Sequence, residues 1–119
     1  MVKNMGVVSS RSPYLRVTIR VLNSSLKVEA LIDTGFSGEV VLPPKIVMNG
    51  QPPKGYSRWT LADGSTTFAP NFLGTLKIGK YKPIGVSITA LGDEPLIGRG
   101  ITDHFKVTFD QGRKVIVEL

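Results

Sequence analysis

The sequence predicts an all-β fold with little helix, on three observations. Over residues 14–22 the apolar Leu15, Val17, Ile19 and Val21 alternate with polar residues, the period-two mark of a strand with one buried face. The 119 residues include 13 glycines and 8 prolines among many Val, Ile and Thr, a composition suited to short strands and tight turns. Turn pairs such as Asp63-Gly64 and Gln111-Gly112 fall between apolar runs.

Taken in order, the first strand is followed by a turn at Asn23-Ser24-Ser25. Leu26, Val28 and Ala30 then resume the alternation, so a hairpin is expected, its second strand running on through Leu31-Ile32. Val40, Val41 and Leu42 form a short strand halted by Pro43-Pro44. Residues 46–49 have room for one helical turn, and 50–53 are loop. A second hairpin has arms 57–61 and 65–68 around Asp63-Gly64, read as a two-residue type I′ turn. Residues 72–78 and 84–90 read as strands. Residues 101–105 suit one short C-terminal helix, and 107–110 pairs with 114–119. No linker or strict repeat interrupts the pattern, so residues 1–119 are expected to form one domain.

Composition narrows the chemistry. There is no cysteine, which excludes disulfides, thiolate metal sites and a thiol nucleophile. The single histidine, His104, cannot build a multi-histidine metal site, so neither a metal nor a cofactor is expected. No apolar stretch approaches the roughly 20 residues of a membrane span, and the first residues lack an apolar block of signal-peptide length. A soluble, cytoplasmic protein without a membrane partner is expected. The net charge of +6 is compatible with nucleic acid, but the basic residues are spread along the chain without interleaved aromatics. No nucleic-acid partner is expected.

One stretch breaks the pattern. Ala30-Leu31-Ile32 leads directly into Asp33-Thr34-Gly35, and Phe36-Ser37-Gly38 widens the loop before Val40-Val41-Leu42 resumes. Asp-Thr-Gly arises by chance in roughly a few per cent of chains this long, and Asp and Gly are ordinary turn residues. A turn alone does not explain a carboxylate placed at the end of a buried run. Some sixty residues later comes Leu96-Ile97-Gly98-Arg99, which by itself reads as a buried strand and a break. Between them the Asp63-Gly64 hairpin projects a polar tip from arms bearing Trp59 and Phe68.

Together, in this order, Ala30-Leu31-Ile32-Asp33-Thr34-Gly35, Leu61-Ala62-Asp63-Gly64-Ser65 and Leu96-Ile97-Gly98-Arg99 resemble the retropepsin-like aspartic proteases, over roughly residues 14–119. The resemblance implies a closed β-barrel protomer in a two-fold homodimer that hydrolyses peptide bonds. It makes Asp33 the catalytic acid and Thr34 a hydrogen-bonding bridge to the partner's loop. Gly35 would let substrate backbone approach, as a residue without Cβ permits. The hairpin of Trp59, Leu61, Ala62, Asp63 and Gly64 would be a flap over an extended polypeptide. Ser37, Val40 and Leu96 would line the substrate site, and Arg99 would brace the active-site loop. The chain departs from the family where many retroviral members carry an acid, since Ser37 stands there, and Gly100 follows Arg99 in place of Asp or Asn.

The implied mechanism needs two carboxylates sharing one proton around a water, because like charges that close do not both ionise. Only one Asp-Thr-Gly is present, so the second would come from a second copy. Residues 115–119 are an apolar strand, expected in an intersubunit sheet, paired within the chain beside 107–109, or both. The competing reading is a non-catalytic peptide-binding module on the same fold.

Overall fold

The computed structural model describes residues 6–47 and 50–119. Its elements run β1 (Val7–Ser9), β2 (Tyr14–Val21), β3 (Ser24–Ile32), β4 (Val40–Leu42), α1 (Pro44–Val47), β5 (Gly55–Thr60), β6 (Thr66–Lys77), β7 (Ile84–Ala90), β8 (Leu96–Ile97), α2 (Arg99–Thr102), β9 (Lys106–Asp110) and β10 (Lys114–Glu118). The larger sheet has the order β2-β3-β8-β4-β7-β6-β5, and a further β2–β6 pairing closes its first six strands into a barrel. β5 stays outside that closure as the free arm of the β5–β6 hairpin.

The barrel forms because alternation on β2 puts Leu15, Val17, Ile19 and Val21 inside, each buried. Each such side chain contributes about 1.5–3 kcal/mol relative to exposure. Leu42, Leu76, Ile88 and Ile101 complete the centre of the core. At the closure β2 pairs with β6 through Thr18↔Lys77, Ile19↔Leu76 and Arg20↔Thr75. Gly74 lies just beyond, where a Cβ would stand 2.3 Å from the Arg20 carbonyl oxygen. The seam closes only because that side chain is missing.

Several expectations are corrected. The first hairpin reverses at Leu22-Asn23, with Val21 opposite Ser24 and Leu22 exposed at φ 52°. An apolar residue in a left-handed conformation gave no turn signal. The arms expected at 65–68 and 72–78 are one strand, β6, passing straight through Pro70. Pairing with β7 begins only at Asn71, so Pro70 owes no ladder bond on that side. The helix expected at 101–105 sits earlier, as α2, and α1 adds a second helical turn opened by Pro44, whose fixed φ suits a first helical position. Of the turn expected at 46–49, residues 48 and 49 lie outside the described residues.

β1 was not anticipated. It pairs with β10, which pairs with β9 on its other side, giving a three-stranded sheet in the order β1-β10-β9. Residues 115–118 are therefore not a free edge. Both sides of β10 are hydrogen-bonded within the chain, and this sheet's outer edges belong to β1 and β9. Pairing also gathers cations that the sequence spreads out. Arg16, Arg20, Lys27 and Lys77 surround Thr18 on the outer face of β3-β2-β6, all four exposed. Among the described residues, no helix is long and apolar enough to cross a membrane.

Gly74→Ala is expected to lower stability by about 1–3 kcal/mol through overpacking at the closure. Gly85 lies opposite Thr75 with open space where its Cβ would be. Gly85→Ala should stay within about 0.5 kcal/mol of the parent. Urea unfolding of both variants checks the contrast; equal midpoints would mean that the seam is not tight.

Candidate active site

β8 sets the geometry. Leu31 and Ile32 pair with it in parallel, opposite Leu96 and Ile97, while β4 pairs on its other side through Val40↔Ile97 and Val41↔Leu96. The loop after β3 and the segment after β8 consequently leave the sheet side by side. Four main-chain hydrogen bonds join them. Asp33 N donates to Ile97 O (2.9 Å), Arg99 N to Phe36 O (2.8 Å), Gly98 N to Glu39 O (2.9 Å) and Gly100 N to Gly38 O (3.0 Å). Such close approach excludes a side chain at position 98, where a Cβ would lie 2.4 Å from Gly38 O and 2.5 Å from the Phe36 ring.

Asp33 is thus fixed at the mouth of the barrel, half-buried. Its Oδ1 accepts the Gly35 N–H at 2.9 Å, a charge-assisted bond that orients the carboxylate when ionised. The carboxyl sits in a groove of about 460 Å³ walled by Phe36, Val41, Trp59, Leu61, Leu91 and Leu96, with Gly35, Thr60, Ala62 and Gly92 completing the lining. Among the described residues that line it, Asp33 is the one titratable side chain. Among the described residues, no three His, Cys, Asp or Glu side chains are grouped to hold a metal ion.

The β5–β6 hairpin overhangs this groove. Trp59 meets Phe36 with ring centroids 4.9 Å apart and planes inclined by 54°, so an aromatic contact ties the hairpin to the aspartate loop. At the tip Gly64 N donates to Leu61 O (2.9 Å) and Leu61 N to Ser65 O (2.7 Å). Gly64 takes φ 88°, whereas Asp63 is not left-handed. The connection is therefore a three-residue loop with Gly64 in the left-handed position, and not the type I′ turn expected.

The structure brings together Asp33, Gly35, Trp59, Leu61, Ala62 and Leu96. Thr34 and Ser37 are exposed at the loop surface, outside the lining, and Asp63 and Gly64 stand exposed at the hairpin tip. Val40 is buried and faces the core with Ile97; its neighbour Val41, paired with Leu96, takes the groove side. One residue of parity separates them. The Arg99 side chain is exposed and makes no ion pair among the described residues; the contact it gives the aspartate loop is its backbone N–H. Sequence reasoning missed Phe36, Val41, Thr60, Leu91 and Gly92. Phe36 had a signal, an aromatic residue in an otherwise polar loop, whereas Leu91 and Gly92 had none.

The hairpin tip has its own electrostatics. Asp63 Oδ1 accepts from the Ser65 hydroxyl (2.6 Å) and the Ser65 N–H (2.9 Å). These two bonds, the hydroxyl first, hold its carboxyl below the ordinary carboxylate value. Because the folded-state value is lowered, this contact is fully present above the ordinary value and is lost as pH falls through the lowered one. Ser65→Ala should move the Asp63 titration upward, as read by carboxyl NMR. An unmoved midpoint would mean that Ser65 does not hold the acid.

No protein-family model matches the sequence, and no curated protein matches it either. Solved structures do. A retropepsin-like aspartic protease from Rickettsia conorii superposes with a TM-score of 0.62 at 21% identity, covering 98% of this chain and 99% of that one. The simian foamy virus (mac) protease superposes at 0.54 with 15% identity, covering 76% of this chain and 91% of that one. The six-stranded barrel, its Asp-Thr-Gly loop locked to the segment after β8 and its overhanging hairpin thus belong to a chain with the retropepsin-like fold.

Proposed function

We propose that the protein is a homodimeric aspartic endopeptidase in which two Asp33 carboxylates, one from each chain, activate a water against a peptide bond. The observation that carries this reading is the oriented, half-buried Asp33 at the floor of an apolar groove beneath a hairpin. Apolar walls suit the side chains of an extended polypeptide, and a low local dielectric strengthens the electrostatics of a shared proton.

The groove supplies one acid and the reaction needs two. In the dimer, the ionised carboxylate takes a proton from the water, whose oxygen bonds to the scissile carbonyl carbon. The protonated partner gives its proton to the carbonyl oxygen, leaving a tetrahedral diol. Collapse then breaks the carbon–nitrogen bond as the nitrogen takes the proton held by the first carboxyl and a diol hydroxyl returns its proton to the second. Thr34 is exposed beside Asp33 with no hydrogen-bond partner for its hydroxyl among the described residues, which suits a bridge to the second chain's loop. Since β10 is paired on both sides, the two copies meet through surfaces other than its backbone edges.

Asp33→Asn keeps an acceptor for the Gly35 N–H but removes the base. Cleavage of an unfolded protein should fall by roughly 10²–10⁴-fold or more, with circular dichroism and dimer mass unchanged. Pepstatin should inhibit the parent. Undiminished turnover by the pure variant would refute the assignment, and peptide binding without cleavage by the parent would leave a peptide-binding module.

A further inference from the structure

Strands β2, β3 and β6 carry four cations, Arg16, Arg20, Lys27 and Lys77, and all four stand exposed on the outer face of the barrel. Register decides their arrangement. Thr18 lies opposite Lys27 on one side and Lys77 on the other, with Arg16 and Arg20 two residues before and after it on β2. The lysines flank the threonine at the ~4.8 Å spacing of strands, and the arginines lie ~6.6 Å from it along β2. These three strands contain a single acid, Glu29, whose carboxylate is already held by Arg11. None of the four cations makes an ion pair among the described residues. Like charges gathered this closely repel one another, and an arriving anion relieves that repulsion.

The spacing selects the anion. An extended polypeptide with acids at alternate positions presents carboxylates on one face at the same ~6.6 Å repeat. Laid along β2, one carboxylate meets Arg16, the next sits over Thr18 between Lys27 and Lys77, and the third meets Arg20. Ser25 and Thr75, on either side of Arg20, add hydroxyls. A nucleic acid fits less well. Tyr14, at the start of β2, is covered by the Arg11 guanidinium 4.0 Å from its ring centroid, so among the described residues no free ring stands beside the four cations for a base to stack on. The face is a sheet wall, with no helix to enter the groove of a duplex.

We infer that this face is a docking site for an acidic segment of the polypeptide substrate, separate from the groove that takes the residues around the cut bond. The inference deepens the proposed function and takes from it only that the partner is a polypeptide. Lys27 precedes Asp33 by six residues on the same strand, about 20 Å of extended chain, so the docked segment lies several residues from the scissile bond. Docking there raises the local concentration of the scissile segment. It lowers KM and leaves kcat unchanged.

Binding is read by fluorescence anisotropy on the Asp33→Asn chain, with a labelled peptide of alternating Glu and Gly about ten residues long. This peptide should bind, its Gln-Gly counterpart should not, and added salt should weaken the complex. Lys27→Glu with Lys77→Glu should weaken binding about tenfold or more, and Lys27→Gln with Lys77→Gln about threefold. Lys45→Glu with Lys106→Glu, on α1 and β9, makes the same change of net charge away from this face and should leave affinity within about twofold. Equal losses in the two reversed pairs, or no binding by the Asp33→Asn chain, overturn the proposal. An oligoribonucleotide of equal charge that binds more tightly overturns the polypeptide assignment and marks a nucleic-acid surface. For the parent, joining the Glu-Gly segment to a cleavable apolar peptide should lower KM several-fold at constant kcat, an advantage that Lys27→Glu with Lys77→Glu erases. Face-dependent binding with unchanged KM overturns the role in substrate docking. Cleavage indifferent to the segment, without binding, removes the docking site and leaves the peptidase reading. Face-dependent binding with no peptide cleaved keeps an acid-binding face and removes the peptidase reading.

Discussion

Everything at this site depends on how closely two backbone segments approach. The loop from Asp33 to Glu39 and the segment from Ile97 to Gly100 share four hydrogen bonds with no side chain between them at position 98. Each bond contributes about 0.5–1.5 kcal/mol net. Their larger effect is geometric, because they fix where the Asp33 main chain leaves β3. β8 makes the approach possible. It is only two residues long, yet it pairs with β3 on one side and β4 on the other. Those two pairings carry the flanking loops to the same end of the barrel.

From that anchor the groove is assembled outward. Phe36 stands three residues after the aspartate, and its ring meets Trp59 on the hairpin. The loop that orients the carboxylate thereby also positions the roof above it. Apolar walls around one acid give strong but unfinished electrostatics, since among the described residues the lining offers no counter-charge and no second acid. A second copy completes the chemistry in this account. The indole nitrogen and the exposed Thr34 hydroxyl are two polar groups without hydrogen-bond partners among the described residues.

Much of this was legible in the sequence. The alternation in β2 and β3, the acid ending an apolar run, and the hairpin around Asp63-Gly64 are local signals, and each appears where the pattern put it. What was illegible depends on partners distant in sequence. β1 is three residues long and exists because β10 offers it an edge. Val40 and Val41 are indistinguishable by composition, and only the register of β4 against β8 decides which faces the groove. Leu22 looked like strand because nothing in a leucine announces a left-handed turn. Arg16, Arg20, Lys27 and Lys77 looked scattered because strand pairing, not sequence proximity, brings them onto one face. Arg99 is expected from the sequence to brace the active-site loop, and what reaches that loop is its backbone amide.

The central claim is that two chains build one site. It is tested most directly by mixing parent and Asp33→Asn proteins in equal amounts, unfolding and refolding them together, and measuring peptidase activity at constant total protein. Random pairing leaves about a quarter of the dimers with two aspartates, so activity should fall to about a quarter of the parent value. A fall to about one half, proportional to the parent chains present, would mean that each chain works alone and would contradict the account.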